Sequence, residues 1–279
     1  MPVLLNTMVK TNKELAFLHE LFVAINWGER FAELIDAHVA LPKEGRALYL
    51  GSGAGGHAIA LQERAGDDLK FLGIDENEEY LELSRAKAAV VKDGIEFRTG
   101  PLNQVDSPAN QFDVVLGDAS LVHVKRVGKM LGEMVRAAAP GATVALALPT
   151  FSSFGEFFSI YWEALHNLEL LDHEADIERL ISTLPSTAAL EDMAEQAGLE
   201  DVSSWTRSEE FDYESEQKFL NDPLIIDFLM PIWMGSLSPK LHEEVIEEIA
   251  RLINEERHQD EFALTLKATL VAGKKALNH

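Results

Sequence analysis

The sequence contains no cysteine. Disulfides, thiolate nucleophiles and cysteine-ligated metals are thereby excluded, and a cytoplasmic protein is expected. Basic residues are scarce: 24 Lys+Arg stand against 47 Asp+Glu, a formal charge of −23. Such a field repels phosphate backbones, so no nucleic-acid partner is expected. Long apolar runs are absent as well. Pro223–Leu237 comes nearest, but Asp227 and Pro231 break it, and it is shorter than the roughly twenty residues that span a bilayer. The opening MPVLLNTMVK is too short and wrongly ordered for a secretory signal.

What is present is an ordinary globular composition. A 47% hydrophobic content over 279 residues supplies a core for one large α/β domain with insertions. Thr11 to Gly45 reads as helical, opened by the capping box Thr11-x-x-Glu14 and carried by a stripe of Leu15, Leu18, Phe22 and Ile25. A break is expected at Asn26-Trp27-Gly28, with Phe31, Leu34, Ile35 and His38 resuming the stripe. Strand and helix patterns then alternate: strands at 47–50, 69–75, 95–99, 112–116 and 142–148, and helices at 78–92 and 122–139. That alternation predicts parallel β-α-β units with right-handed crossovers. After Thr150 the pattern turns helical, with helices at 187–197, 216–229 and 239–256 and strands at 201–207 and 262–272.

The stretch RALYLGSGAGGHAIAL, Arg46 to Leu61, organises the rest. A buried strand runs into a turn carrying Gly51, Gly53, Gly55 and Gly56, then into a helix N-terminus. Glycine lets a backbone turn sharply and approach a ligand closely, and the helix end suits an anionic group. Gly51-x-Gly53-x-x-Gly56, with Asp75 some twenty residues on, also fits a dinucleotide fingerprint, so a nicotinamide-dependent oxidoreductase is one reading. Parallel sheets bind ligands beyond the carboxyl ends of their strands. Gly51, Asp75, Gly100 and Asp118 all fall at such ends.

Taken in order, these segments resemble the class I S-adenosylmethionine-dependent methyltransferases, most closely the group that includes ubiquinone- and menaquinone-biosynthesis enzymes. LYLGSGAG (48–55) resembles the family's glycine motif and Leu72-Gly73-Ile74-Asp75 its ribose-binding strand end. FRTGPL (97–102) resembles the adenine-lining segment, Ala139-Pro140-Gly141 the turn before strand five, and ALEDMAEQAGLEDV (189–202) the helix before strand six. The resemblance implies a Rossmann-like, seven-stranded, mostly parallel sheet with helices on both faces and an antiparallel last strand. It also implies helical insertions after strands five and six. One domain spans 1–279, with N-terminal helices in 1–45, the S-adenosylmethionine-binding core in 46–150, and lid-like insertions at 151–186 and 208–260. Two positions depart from the pattern. Tyr49 stands where an acidic residue usually helps hold the methionine end, and Pro101 where an aspartate usually accepts the adenine amino group.

The implied cofactor is S-adenosylmethionine, held by Gly51, Ser52, Gly53, Gly55, Asp75, Glu76, Gly100, Leu102 and Asp118. With Pro101 lacking a side-chain acceptor, Asn103 or Asp106 is the expected substitute. A base is needed only for an acceptor that must lose a proton, and His123 is the candidate, with a helix-capping role as the alternative. His57 is expected to pack or cap. Phe151, Phe154, Phe158, Trp162 and Trp233 are expected to wall the pocket of a small, apolar or aromatic methyl acceptor. The Phe228–Met234 segment is expected either to close that pocket or to form a homodimer contact. No metal is expected; the pair His166 and His173 is the nearest approach to one. A non-catalytic binding or scaffold protein that keeps this fold is the remaining alternative.

Overall fold

The computed structural model describes residues 10–90, 94–256 and 262–277. The N-terminal helix begins at a reciprocal cap, in which Glu14 N donates to Thr11 Oγ1 and Thr11 N donates to Glu14 Oε2. α1 (Asn12–Leu18) passes directly into a π-helical stretch (His19–Gly28) and on into α2 (Glu29–His38). The expected break at Asn26-Trp27-Gly28 does not occur. The wider π turns rotate the buried face instead. Ala16, Val23, Trp27, Phe31, Leu34 and Ile35 are buried, while Phe22 and Ile25 of the expected stripe stand exposed. His38 lies at the surface, stacked on Trp205 at 4.3 Å.

Next come β1 (Gly45–Leu50), α3 (Gly56–Ala65), β2 (Leu69–Asp75), α4 (Glu78–Ala88), β3 (Ile95–Thr99), β4 (Phe112–Asp118), α5 (Val124–Ala137) and β5 (Ala138–Pro149). The end of the helix expected at 78–92 falls partly on residues outside the described ones. After β5 the chain forms α6 (Gly155–Asn167), α7 (Glu174–Thr183), α8 (Thr187–Gln196) and β6 (Leu199–Tyr213). The seven strands form one sheet in the order β3-β2-β1-β4-β5-β7-β6. β7 (Phe262–Lys275) is antiparallel to both of its neighbours. This is the expected Rossmann-like architecture, and alternation along β1 supplies both faces. Ala47 and Tyr49 enter one hydrophobic cluster with α2 and α6, while Leu48 and Leu50 enter another with α5 and α8.

Three boundaries differ for local reasons. Ala139-Pro140-Gly141 is a bulge within β5 rather than a turn before it: the pairing jumps from Phe112↔Ala138 to Val114↔Thr143, and Gly141 takes φ +79°. β6 pairs with β7 as far as Tyr213, so the second insertion starts after that residue and not at 208. The helix expected at 216–229 is divided into α9 (Glu216–Leu220), a π-helical turn (Leu224–Leu229) and α10 (Met230–Trp233), before α11 (Pro239–Glu256). Pro223, which has no N–H to donate, stands at the division.

Candidate active site

The carboxyl ends of β1, β2 and β4 open onto a cavity of about 1300 Å³, roofed by the N-terminal π-helix. Its floor is the glycine turn. Gly51 N and Ser52 N both donate to Ile74 O, at 2.9 and 3.2 Å, pinning the turn to β2. Gly51, Gly53 and Gly55 all have positive φ, between 53° and 77°. A Cβ on Gly51 would lie 2.2 Å from Asp118 O, and one on Gly55 2.6 Å from the Phe97 ring. Gly56, in contrast, opens α3 where a Cβ would meet only Lys87 Nζ, at 3.9 Å. The third glycine of a dinucleotide fingerprint is needed for close helix–strand packing, and nothing here requires it. The turn is therefore built on Gly51, Gly53 and Gly55.

Asp75 ties this turn to the next strand. Its Oδ2 accepts from Gly53 N at 2.9 Å and its Oδ1 from Asn77 N at 3.0 Å. Burial pushes its carboxyl above the ordinary 3.8, against the pull of these N–H groups. Burial likewise raises Asp118, whose Oδ1 accepts from Ser120 N at 2.8 Å. Asp118 is not the helix cap, since α5 starts later, at Val124. Glu76 Oε1 accepts from Leu102 N at 3.3 Å and from the Arg126 guanidinium. The Leu102 N–H, at the end of the segment expected to line the adenine, is thus already bonded. Asn103 and Asp106 are exposed and lie outside the cavity lining, whereas Glu76 is in it. Gly100 is also outside the lining; its N–H donates to Asp75 O at 3.0 Å.

Sequence reasoning missed two groups of site residues. The first replaces the usual acidic residue at position 49. Tyr49 Oη lies 2.9 Å from His57 Nδ1, and His57 Nε2 lies 3.0 Å from Asp36 Oδ1, which also accepts from Arg64 at 2.7 Å. The bond to His57, aided by Arg64, holds the Asp36 carboxyl far below its usual range. An ionised Asp36 makes Nε2 the donor nitrogen, so Tyr49 donates to Nδ1 and presents its remaining lone pairs elsewhere. The three residues come from α2, β1 and α3, and no spacing in the sequence announces them.

The second group is His19 with Tyr80. His19, from the π-helix, sits 4.6 Å from the Tyr80 ring and 5.7 Å from Phe228. Its Nδ1 is buried without a partner. Burial lowers its pKa to about 4 from 6.5. The folded state therefore binds fewer protons than the unfolded one between those values, and stability falls as pH drops through that window. Denaturant titrations at pH 7 and pH 4.5 should give a wild-type loss about 2 kcal/mol larger than that of His19→Phe. Equal losses in the two proteins would place the imidazole in solvent.

Beside the main cavity lies a small apolar pocket of about 70 Å³. Ser120, Leu121, Val122 and Ile232 wall both spaces. Phe154, Phe158 and Trp233 line the small pocket, but Phe151 and Trp162 do not; they line a separate surface recess on α6 and α7. His123 also borders the small pocket, but as the cap of α5: its Nδ1 accepts from Lys125 N at 3.2 Å. That bond uses the lone pair a base would need, so the capping alternative fits the geometry and the catalytic one does not. His166 stacks on Trp162, and among the described residues no three His, Asp or Glu side chains converge as metal ligands would.

The donor set fits a cationic ligand. Ten carboxylate residues line the main cavity against a single arginine, Arg126, which is already paired with Glu76. Such a wall disfavours a pyrophosphate and favours a sulfonium or ammonium. The unpartnered Ser52 Oγ and the glycine floor leave room for polar contacts at close range.

Comparison with known proteins agrees with this geometry. Residues 47–141 match a methyltransferase domain family. Norajmaline N-methyltransferase of Rauvolfia serpentina is 29% identical over 117 residues, which are 42% of this chain and 39% of that protein. Demethylmenaquinone methyltransferase of Shouchella clausii is 26% identical over 167 residues, 56% of this chain and 71% of the relative. The match thus spans well under half the length of the first and most of the second. Among solved structures, the YcgJ protein from Bacillus superposes with TM-score 0.58 at 15% identity, covering 89% of this chain and 99% of that one. Haemonchus contortus phosphoethanolamine N-methyltransferase 2 does so with TM-score 0.57 at 16% identity, covering 98% and 59%. These two likenesses speak to the fold alone. By domain match and relatives together, residues 47–141 carry a methyltransferase domain similar to those of S-adenosylmethionine-dependent methyltransferases, whose cofactor is S-adenosylmethionine.

Proposed function

We propose that this protein binds S-adenosylmethionine in the main cavity and transfers its methyl group to a small apolar or aromatic acceptor. The observation that carries this reading is the shared wall: Ser120, Leu121, Val122 and Ile232 separate a carboxylate-lined cavity from an apolar pocket. Gly51, Gly53 and Gly55 would hold the cofactor's backbone-facing side, Asp75 its ribose, and Asp118 and Tyr49 its cationic end. Glu76 and Leu102 would border the base. Bound S-adenosylmethionine supplies an electrophilic methyl on a sulfonium. The chain's part is to hold the acceptor in line with it and to exclude water, which Phe154, Phe158 and Trp233 do by enclosing the adjoining pocket.

Calorimetric titration with S-adenosylmethionine and S-adenosylhomocysteine tests the binding half, with saturable binding at micromolar ligand expected. Gly53→Val is the matched control. Its Cβ meets only His19 Cε1, at 3.3 Å, so the fold tolerates it better than a change at Gly51 or Gly55. The strain at φ +53° and the filled floor should nevertheless remove binding. Absence of binding in the wild type would leave the scaffold reading, which the prior engagement of Leu102 N by Glu76 favours.

A further inference from the structure

The N-terminal helix that roofs the main cavity buries one face and leaves the other bare. Ala16, Val23 and Trp27 are buried, whereas Phe17, Leu21, Phe22 and Ile25 are 50%, 56%, 45% and 52% exposed. Single exposed apolar residues are ordinary, but a contiguous patch of them marks an interaction surface. The helix carrying this patch is fixed in place. Lys87 donates to Glu20 at 2.7 Å, Lys10 to Asp227 at 2.6 Å, and the His19 ring rests against Tyr80 and Phe228. The bare face is therefore presented in one orientation and needs little ordering on association.

The spacing along this face says what fits it. Lys13, Phe17, Leu21, Ile25 and Glu29 are all exposed and stand four residues apart. On an α-helix of 3.6 residues per turn such a row drifts around the axis in one direction. On the wider π turns it drifts the other way. The row crosses from α1 into the π-helical stretch, so the two drifts offset each other and it runs nearly straight. It is also symmetric about Leu21. When two of these helices pair antiparallel with Leu21 at the centre, Phe17 meets Ile25 of the second copy and Lys13 meets its Glu29. No two like charges fall at matched positions in that register. Neither the Lys13 nor the Glu29 side chain has a partner among the described residues.

A two-fold interface needs a patch complementary to itself, and a row with an apolar centre and opposite charges at its two ends meets that condition. We propose that this face is a homodimer interface, on which a second copy of the chain docks by antiparallel pairing of the N-terminal helices across Leu21. A lipid surface would cover the apolar row but would gain nothing from Glu29, and its anionic forms are repelled by a chain of formal charge −23. The same charge opposes the approach of two copies. At physiological salt it is screened beyond about 8 Å, which leaves the contact to the apolar row and its end charges. Ile25 and Glu29 also line the main cavity, so the second copy sits beside the candidate active site. The pairing does not depend on which ligand that cavity holds.

Sedimentation velocity on the full chain, over a concentration series, tests this. The wild type should show a reversible monomer–dimer equilibrium. Leu21→Glu places two like charges face to face at the axis and should raise the dissociation constant by at least ~100-fold. Its melting temperature should stay close to that of the wild type, since Leu21 is largely exposed. Lys13→Glu and Glu29→Lys should each weaken the dimer by about tenfold, and combining them should restore it. The two reversals shift the net charge in opposite directions, so weakening by both, with rescue in the double variant, reports the local pairing and not the overall field. A wild type that stays monomeric throughout overturns the proposal, and so does a dimer that survives Leu21→Glu. Single reversals without effect overturn the antiparallel register. Flotation of a monomeric wild type with phosphatidylcholine vesicles, abolished by Leu21→Glu, would overturn the dimer and assign the face to lipid.

Discussion

Asp75→Ala is expected to weaken S-adenosylhomocysteine binding by at least ~100-fold in a calorimetric titration, while the melting temperature falls by only a few degrees. The Asp75 carboxylate uses one lone pair of each oxygen on Gly53 N and Asn77 N, and a carboxylate has about four such sites. Asp75 is among the residues lining the cavity, where its remaining acceptor capacity suits a pair of vicinal hydroxyls. Hydrogen bonds to an ionised group contribute about 1.5–3 kcal/mol each. Losing two of them, with the Gly53 tether lost as well, accounts for a factor of about 100 or more. The fold is affected less, because the freed N–H groups line an open cavity where water replaces the carboxylate. Asp75→Asn keeps one acceptor oxygen and should fall between, near ~10-fold. Wild-type affinity in both variants would remove the ribose assignment and move the ligand elsewhere in the cavity.

The same carboxylate gives the site a pH dependence of known sign. Asp75 and Asp118 are both raised above 3.8 in the free protein. A bound cation favours their ionised forms, so ligand affinity declines as pH falls toward and through that acid range, and binding there releases protons. S-adenosylmethionine, with its sulfonium charge, should decline more steeply than S-adenosylhomocysteine.

How much of this was legible in the sequence depends on the range of each interaction. The sheet was readable because buried parallel strands are short apolar runs and the helices between them carry one apolar face. Every strand is at its expected place within a few residues, apart from the long extensions of β5 and β6. The glycine turn was readable because backbone at positive φ demands glycine. The N-terminal register was not, because a π-helix changes which residues share a face: Phe22 and Ile25, spaced for burial in an α-helix, are exposed, and Val23 and Trp27 take their place. Neither the Tyr49–His57–Asp36 line nor the Glu76–Arg126 pair has a sequence signature. Each joins residues on different elements, 50 apart in the case of Glu76 and Arg126. The departures at Tyr49 and Pro101 pointed to the right neighbourhoods without naming what fills them. The aromatic run after β5 divided in a way periodicity does not encode, since the left-handed backbone at Ser152 and Phe154 decides which rings turn inward.

Trp233 is where the two insertions become part of one core, and Trp233→Ala should lower stability by about 3–5 kcal/mol. The indole is 4% exposed. It stacks on Phe157 at 4.3 Å and meets Phe154 and Phe158 at 5.1 and 5.7 Å, so α10 of the second insertion is held by α6 of the first. Truncation opens a cavity among rings that cannot collapse into it, because Phe154 and Phe157 are fixed by the bend after β5 and by Phe219 and Tyr161. For a domain of this size the loss corresponds to a fall of about 8–15 °C in melting temperature. Trp233→Phe keeps an aromatic face toward Phe157 and should recover more than half of it. A fall of under ~3 °C in the alanine variant would mean that the insertions pack independently of each other. The acceptor pocket, whose wall Trp233 forms together with Phe154 and Phe158, would then have no rigid side.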